Sequence, residues 1–198
     1  MKRGRRQPAS NDPPVRAPLR GEAKLEAALD TFGIDVRDRV CLDLGAAAGG
    51  FTRVLLDAGA LRVYAVDVGF GQLLGSLRQD TRVLNLEATN VSKLDTHLIP
   101  EPLEVVTIDV SYLALASAVA QLDRIDIAPD ADLVGLVKPM FELRMATAPT
   151  DPATVDRAVE QAVAGVEAAG WQVLGTMPSP VLGGRGAVEA LLHARKRG

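Results

Sequence analysis

The hydrophobic period of this chain switches repeatedly between helical spacing and short apolar runs, an alternation that predicts an α/β fold. From Glu22, residues Leu25, Ala28, Leu29 and Phe32 share one face, Lys24 lies just off it, and Gly33 suits a C-cap. Val40 opens an apolar run that ends in Asp43, the pattern of a buried parallel strand delivering an acid to the carboxyl edge of a sheet. Phe51 to Ala58 reads as a helix, Arg62 to Val68 as a strand, Gln72 to Arg78 as a helix and Val83 to Leu86 as a strand. A strand over Val105 to Val110, a helix from Leu113 to about Leu122 and a strand over Leu133 to Val137 follow. Asp151 and Pro152 form an N-cap with proline at the first helical position, opening a helix that runs to Gly170. Trp171 to Thr176 and Val188 to Ala194 are two last strands joined by a Pro- and Gly-rich loop, so one strand runs antiparallel to the rest. The prediction is a mostly parallel, seven-stranded, doubly wound sheet ending in an antiparallel hairpin.

The segment VCLDLGAAAGGFT, Val40 to Thr52, is the focus of this layout. Gly45, Gly49 and Gly50 let the backbone turn tightly and approach a ligand, and the following helix begins at Phe51. The next strand brings Asp67 to the same edge, 18 residues after Gly49, where an acid can accept both hydroxyls of a ribose. The loop lacks the GxGxxG spacing of dinucleotide binders and opens on a carboxylate that a pyrophosphate would not favour. Asp43 suits a cationic ligand. S-adenosyl-L-methionine (SAM) carries an amino group and a sulfonium but no phosphate, so the loop favours it over NAD. Five parallel strands with a hairpin and such a loop are the Rossmann-like layout of a class I SAM-dependent methyltransferase. SAM is then expected across the first two strands, touching Gly45, Gly49, Gly50, Phe51 and Asp67.

Composition narrows the setting. A chain of 198 residues with 47% hydrophobic content can bury the core of one ordinary domain. No apolar run approaches the roughly 20 residues of a membrane span, and the amino terminus lacks a secretory apolar core, so a cytoplasmic protein is expected. Cys41, the single cysteine, falls in a buried strand and offers neither a disulfide nor a zinc cluster. The first 20 residues carry six basic side chains against one acid, leaving the remainder at a net charge of −8. With prolines at 8, 13, 14 and 18, they predict a disordered basic arm able to lie along phosphates, ahead of a domain over residues 21–198. His193, Arg195, Lys196 and Arg197 make a second basic cluster.

Three further polar residues stand at predicted strand ends: Asp109 in IDVSYL, Lys138 in LVKPMFE, and Glu189 at the opening of the last strand. Ligands of such sheets bind at that edge, and Lys24 can reach the same place. From about Leu19 onward, AKLEAAL, LDLGAAAGGFT, VYAVDVGFGQL, LEATNV, IDVSYLAL, LVKPMFE and GAVEALLHARK resemble the TlyA family of ribosomal RNA 2′-O-methyltransferases, related to the FtsJ fold. The resemblance implies a catalytic Lys-Asp-Lys-Glu tetrad at Lys24, Asp109, Lys138 and Glu189, with no metal. It also implies that Glu87 and Asn90, in LEATNV, line the adenine side of the cofactor. A ribose hydroxyl is a poor nucleophile, so a lysine that takes its proton must be helped by burial or a neighbouring cation. Lys138 is expected to face the hydroxyl, with Asp109 and Lys24 tuning it and Glu189 orienting.

The departures from the family concern the substrate more than the fold. Members usually carry an S4-like RNA-binding domain where only the basic arm precedes Leu19. Ala47 and Ala48 replace the hydroxyls of the more common GASTGGFT loop, the segment after Glu142 is short, and Ala187 stands where asparagine is common. Two other classes remain open: an RNA-binding protein of this fold with little turnover, and a class I methyltransferase acting on a non-RNA substrate.

Overall fold

The computed structural model describes residues 16–197. Strands Val40–Leu44 (β1), Arg62–Val66 (β2), Val83–Leu86 (β3), Leu103–Ile108 (β4), Ile127–Val137 (β5), Trp171–Pro178 (β6) and Ala190–Lys196 (β7) form one sheet in the order β3-β2-β1-β4-β5-β7-β6. The first five pair in parallel, and β7 runs antiparallel to both β5 and β6. The helices are Glu22–Phe32 (α1), Gly50–Asp57 (α2), Gly75–Arg78 (α3), Leu115–Val119 (α4), Pro139–Glu142 (α5) and Pro152–Ala168 (α6).

Because successive strand side chains point to opposite faces, the buried strands feed two cores. Leu42, Leu44, Val106 and Ile108 pack with Leu115, Val119, Ala162 and Val166 of α4 and α6. Cys41, Val63, Val105 and Val134 pack with Leu25, Ala28, Val54 and Leu55 of α1 and α2. Cys41 is fully buried, which pushes its thiol up to about 12 and leaves it a core residue, as expected.

Local signals set the helix ends. Gly33 closes α1 in the left-handed region (φ 66°), and the Asp151 carboxylate accepts from the Thr154 amide at 2.9 Å, with Pro152 in the first turn of α6. Where boundaries differ from the sequence reading, tertiary bonds have intervened. The amides of Gln72 and Leu73 donate to Glu87 Oε1 at 2.6 and 3.0 Å, which holds these residues as loop and delays α3 to Gly75. The strand expected to end at Val68 stops at Val66, because Asp67 turns its carboxylate to the amides of Ala47 and Gly69.

Two charge assignments change. The expected basic arm lies outside the described residues as far as residue 15, but its last five residues belong to the folded body. Arg16 pairs with Asp57 at 2.9 Å, Arg53 donates to the Ala17 carbonyl at 3.1 Å, and Leu19 packs into the α1/α2 core. The carboxyl-terminal basic cluster is also divided. His193 and Arg195 bond Asp132, which Arg39 reaches at 2.8 Å, while Lys196 lies over the Trp171 ring at 5.3 Å. Burial alone would raise the Asp132 carboxyl, but the hydrogen bonds from His193, Arg39 and Arg195 prevail and hold it below the usual carboxylate range.

Candidate active site

Strand order reverses between β1 and β4, which opens a crevice at their carboxyl ends. The end of β1 is laced to both of its neighbours: the Asp109 amide after β4 donates to the Leu44 carbonyl, and the Gly45 amide donates to the Val66 carbonyl of β2, each at 2.8 Å. Gly45 has φ 94°, and a β-carbon there would strike the Asp109 carbonyl. Only glycine lets the loop after β1 lie this close to the end of β4.

Two adjoining cavities open at this edge. The smaller, about 210 Å³, is lined by Gly45, Ala47, Asp67, Val68, Thr89 and Tyr112 among others. The larger, about 720 Å³, is lined by Lys24, Asp109, Lys138 and Glu189 together with Arg20, Phe141 and Arg185. Gly45, Ala47, Asp109 and Ser111 line both, so they form the ridge between the two spaces.

Elements distant in the chain bring the four predicted polar residues to the larger cavity. Lys24, in the first turn of α1, places Nζ 2.5 Å from Glu189 Oε2, and the two side chains are only 5% and 6% exposed. Lys138, which precedes the proline of α5, places Nζ 2.5 Å from Asp109 Oδ1 and donates to Ser111 Oγ at 2.7 Å. Each lysine in this cavity has its own carboxylate, Lys24 with Glu189 and Lys138 with Asp109. Ser111 was not singled out from sequence. Its only signal is its position two residues past Asp109 in IDVSYL.

The residues expected to bind SAM fall in several places. Asp67 and Gly45 line the smaller cavity as expected. Asp67 Oδ2 accepts from the Ala47 amide at 2.8 Å and Oδ1 from the Gly69 amide at 2.7 Å, and each oxygen keeps a further lone pair. Asp43 lines neither cavity. It shares the parity of Cys41 and so points beneath α2, fully buried, accepting from Thr52 Oγ1 at 2.6 Å and Thr107 Oγ1 at 3.2 Å. Burial pushes its carboxyl up to about 7, with the two threonine hydrogen bonds opposing the rise.

Gly49, Gly50 and Phe51 also lie outside the lining of both cavities. A β-carbon at Gly49 would meet Leu73 and Leu77, one at Gly50 would meet the Arg20 carbonyl, and Phe51 is buried against Gly21. The two glycines serve close packing of the chain over the start of α2. Glu87 is spent on the loop before α3 and on Asn85, whose amide hydrogen bond is the largest influence holding its carboxyl down to about 2. Asn90 accepts from the Ser92 amide at 3.0 Å as the cap of a short 3₁₀ turn. Thr89 and Tyr112 line the cavity where Glu87 and Asn90 were expected.

The model of the FtsJ-like methyltransferase family matches residues 18–196, nearly the whole described chain. The chain belongs to the FtsJ-like methyltransferase family. Within it, the chain is 42% identical over 181 residues to the 16S/23S rRNA (cytidine-2′-O)-methyltransferase TlyA of Mycobacterium tuberculosis, covering 89% of this chain and 67% of the relative. It is 32% identical to the 23S rRNA (cytidine-2′-O)-methyltransferase TlyA of Campylobacter jejuni, covering 86% of this chain and 67% of that one. A solved structure of a candidate haemolysin from Lactococcus lactis superposes with a TM-score of 0.87 at 34% identity, over 93% of this chain and 90% of that chain. The chain thus spans about two thirds of the length of these curated FtsJ-like relatives. No helix among the described residues is long and apolar enough to cross a membrane.

Proposed function

We propose that this FtsJ-like protein is a SAM-dependent methyltransferase that modifies a ribose 2′-hydroxyl of ribosomal RNA. The observation that carries the reading is the convergence of two lysine–carboxylate pairs in one cavity, across a shared ridge from a second cavity bearing Asp67. The names of the relatives supply the substrate class.

The smaller cavity fits the cofactor's adenosyl portion. Gly45 lets the loop after β1 close against the end of β4 beside this cavity, and the free lone pairs of Asp67 suit a ribose diol. SAM, when bound, supplies an electrophilic methyl group. The alanines of the loop are compatible with this role, because Ala47 contributes its backbone amide to Asp67 rather than a side chain. A lost hydroxyl contact in the loop costs about 1 kcal/mol, which lowers affinity without removing the site.

In the larger cavity, Lys138 is the group that takes the proton of the 2′-hydroxyl. The ammonium so formed is the species held between Asp109 and Ser111. The Lys24–Glu189 pair lines the same cavity and is electrically balanced, so it adds no uncompensated buried charge, and the Lys138–Asp109 pair is balanced once Lys138 carries the proton. Catalysis then rests on positioning and on one proton transfer.

Lys138→Ala tests the reading. It is expected to leave SAM affinity near that of the parent in a calorimetric titration and to cut methyl transfer to ribosomal RNA by about a hundredfold or more. Lys138→Arg is not expected to rescue, since a guanidinium stays protonated. Parent-rate transfer in Lys138→Ala would remove the proton-transfer role. A parent protein that does not bind SAM would favour instead an RNA-binding protein of this fold without turnover.

A further inference from the structure

Eight arginines of the described chain are committed to carboxylates in ion pairs. Of the described arginines without an ion-pair partner, Arg20 and Arg185 are the two that line the larger cavity, and both are exposed. They come from opposite ends of the chain and meet through the loop between β6 and β7. A β-carbon at Gly184 would lie 2.7 Å from Arg20 Nη2, which places the Arg20 guanidinium beside the residue that precedes Arg185. One residue earlier, a β-carbon at Gly183 would collide with the Glu189 carboxylate. The loop thus runs between the Glu189 carboxylate and the Arg20 guanidinium.

Arg185 sits in this loop with φ 59° and ψ 28°, a left-handed conformation that suits glycine, and it is flanked by Gly184 and Gly186. A strained arginine where glycine would be relaxed points to a use for its side chain. Charge supplies the use. The cavity's two lysines are each neutralised by a carboxylate, and the chain beyond residue 20 is net acidic, so neither attracts a polyanion. Two free guanidinium groups at the entrance do.

We propose that Arg20 and Arg185 clamp the backbone phosphates of the RNA strand next to the ribose presented to Lys138. The inference rests on the RNA reading above and adds the residues that hold the strand. Guanidinium forks suit bidentate contact with phosphate oxygens, and phosphate contacts fix register without reading sequence.

The test is filter binding of transcribed small- and large-subunit ribosomal RNA across a salt series, using the full chain, Arg185→Gly, Arg20→Ala and the double variant. Arg185→Gly relaxes the left-handed position, so its fold is not at risk. Each single variant is expected to bind RNA about tenfold more weakly, and each lost contact should lower the slope of log affinity against log salt by about 0.7 to 0.9. SAM affinity and the melting midpoint should match the parent. A double variant with the parent's RNA affinity and salt slope would overturn the clamp, as would a loss of SAM affinity equal to the loss of RNA affinity. Failure of the RNA reading shows elsewhere, in a parent that transfers no labelled methyl group to ribosomal RNA.

Discussion

Removing one partner of the Lys24–Glu189 pair separates a catalytic role for the cavity's charges from an architectural one. Lys24 and Glu189 are 4% and 6% exposed, so Glu189→Leu or Lys24→Met would strand a buried charge. Breaking a buried pair in this way costs about 3–5 kcal/mol. In a domain of this size each kcal/mol moves the midpoint by about 2–4 °C, so a fall of roughly 6–20 °C is expected for each single variant. The double variant Lys24→Met, Glu189→Leu leaves two apolar side chains of similar volume in contact and should recover most of that loss, because neither charge is then desolvated. Thermal melts and methyl transfer from labelled SAM to ribosomal RNA are measured on all four proteins. A catalytic role for the pair's charges requires that the double variant regain stability but not transfer. A double variant that regained both would show that the pair only packs, and single variants as stable as the parent would show that the pair is not desolvated.

Two further predictions follow from the same edge of the sheet. Asp43 keeps its proton up to about pH 7 when folded and only to about pH 3.9 when unfolded, so stability falls as pH rises through that window, by on the order of 4 kcal/mol in all. Asp43→Asn should flatten that slope in urea melts between pH 4 and 8 and be the more stable protein at pH 8; an unchanged slope would place the titration elsewhere. Asp67→Ala, which removes the acceptor for two loop amides and the acid of the smaller cavity, should weaken SAM binding at least tenfold by calorimetry. Parent-like affinity in that variant would move the cofactor away from the ends of β1 and β2.

The element order was legible in the sequence because its causes are local. Apolar period distinguishes helix from buried strand, Gly33 alone stops α1, and Asp151 with Pro152 starts α6. The strand-end rule carried Asp109 and Lys138 to the correct edge, and Gly45 and Asp67 to the smaller cavity, since any residue closing a parallel strand arrives there. Where a side chain goes from that edge is a tertiary matter. Asp43 and Asp67 both follow apolar strand runs, yet one is sealed beneath α2 by Thr52 and Thr107 while the other faces a cavity. Glu87 and Asn90 were taken up by neighbouring backbone amides that no motif announces. Lys24 and Glu189 are 165 residues apart, and their pairing, like that of Lys138 with Ser111, depends on the distance between elements after packing. Composition and period determine which segments must be buried, but the partner of a buried charge is chosen by whichever opposite charge the assembled sheet and helices bring within reach, because an unpaired charge there would cost several kcal/mol.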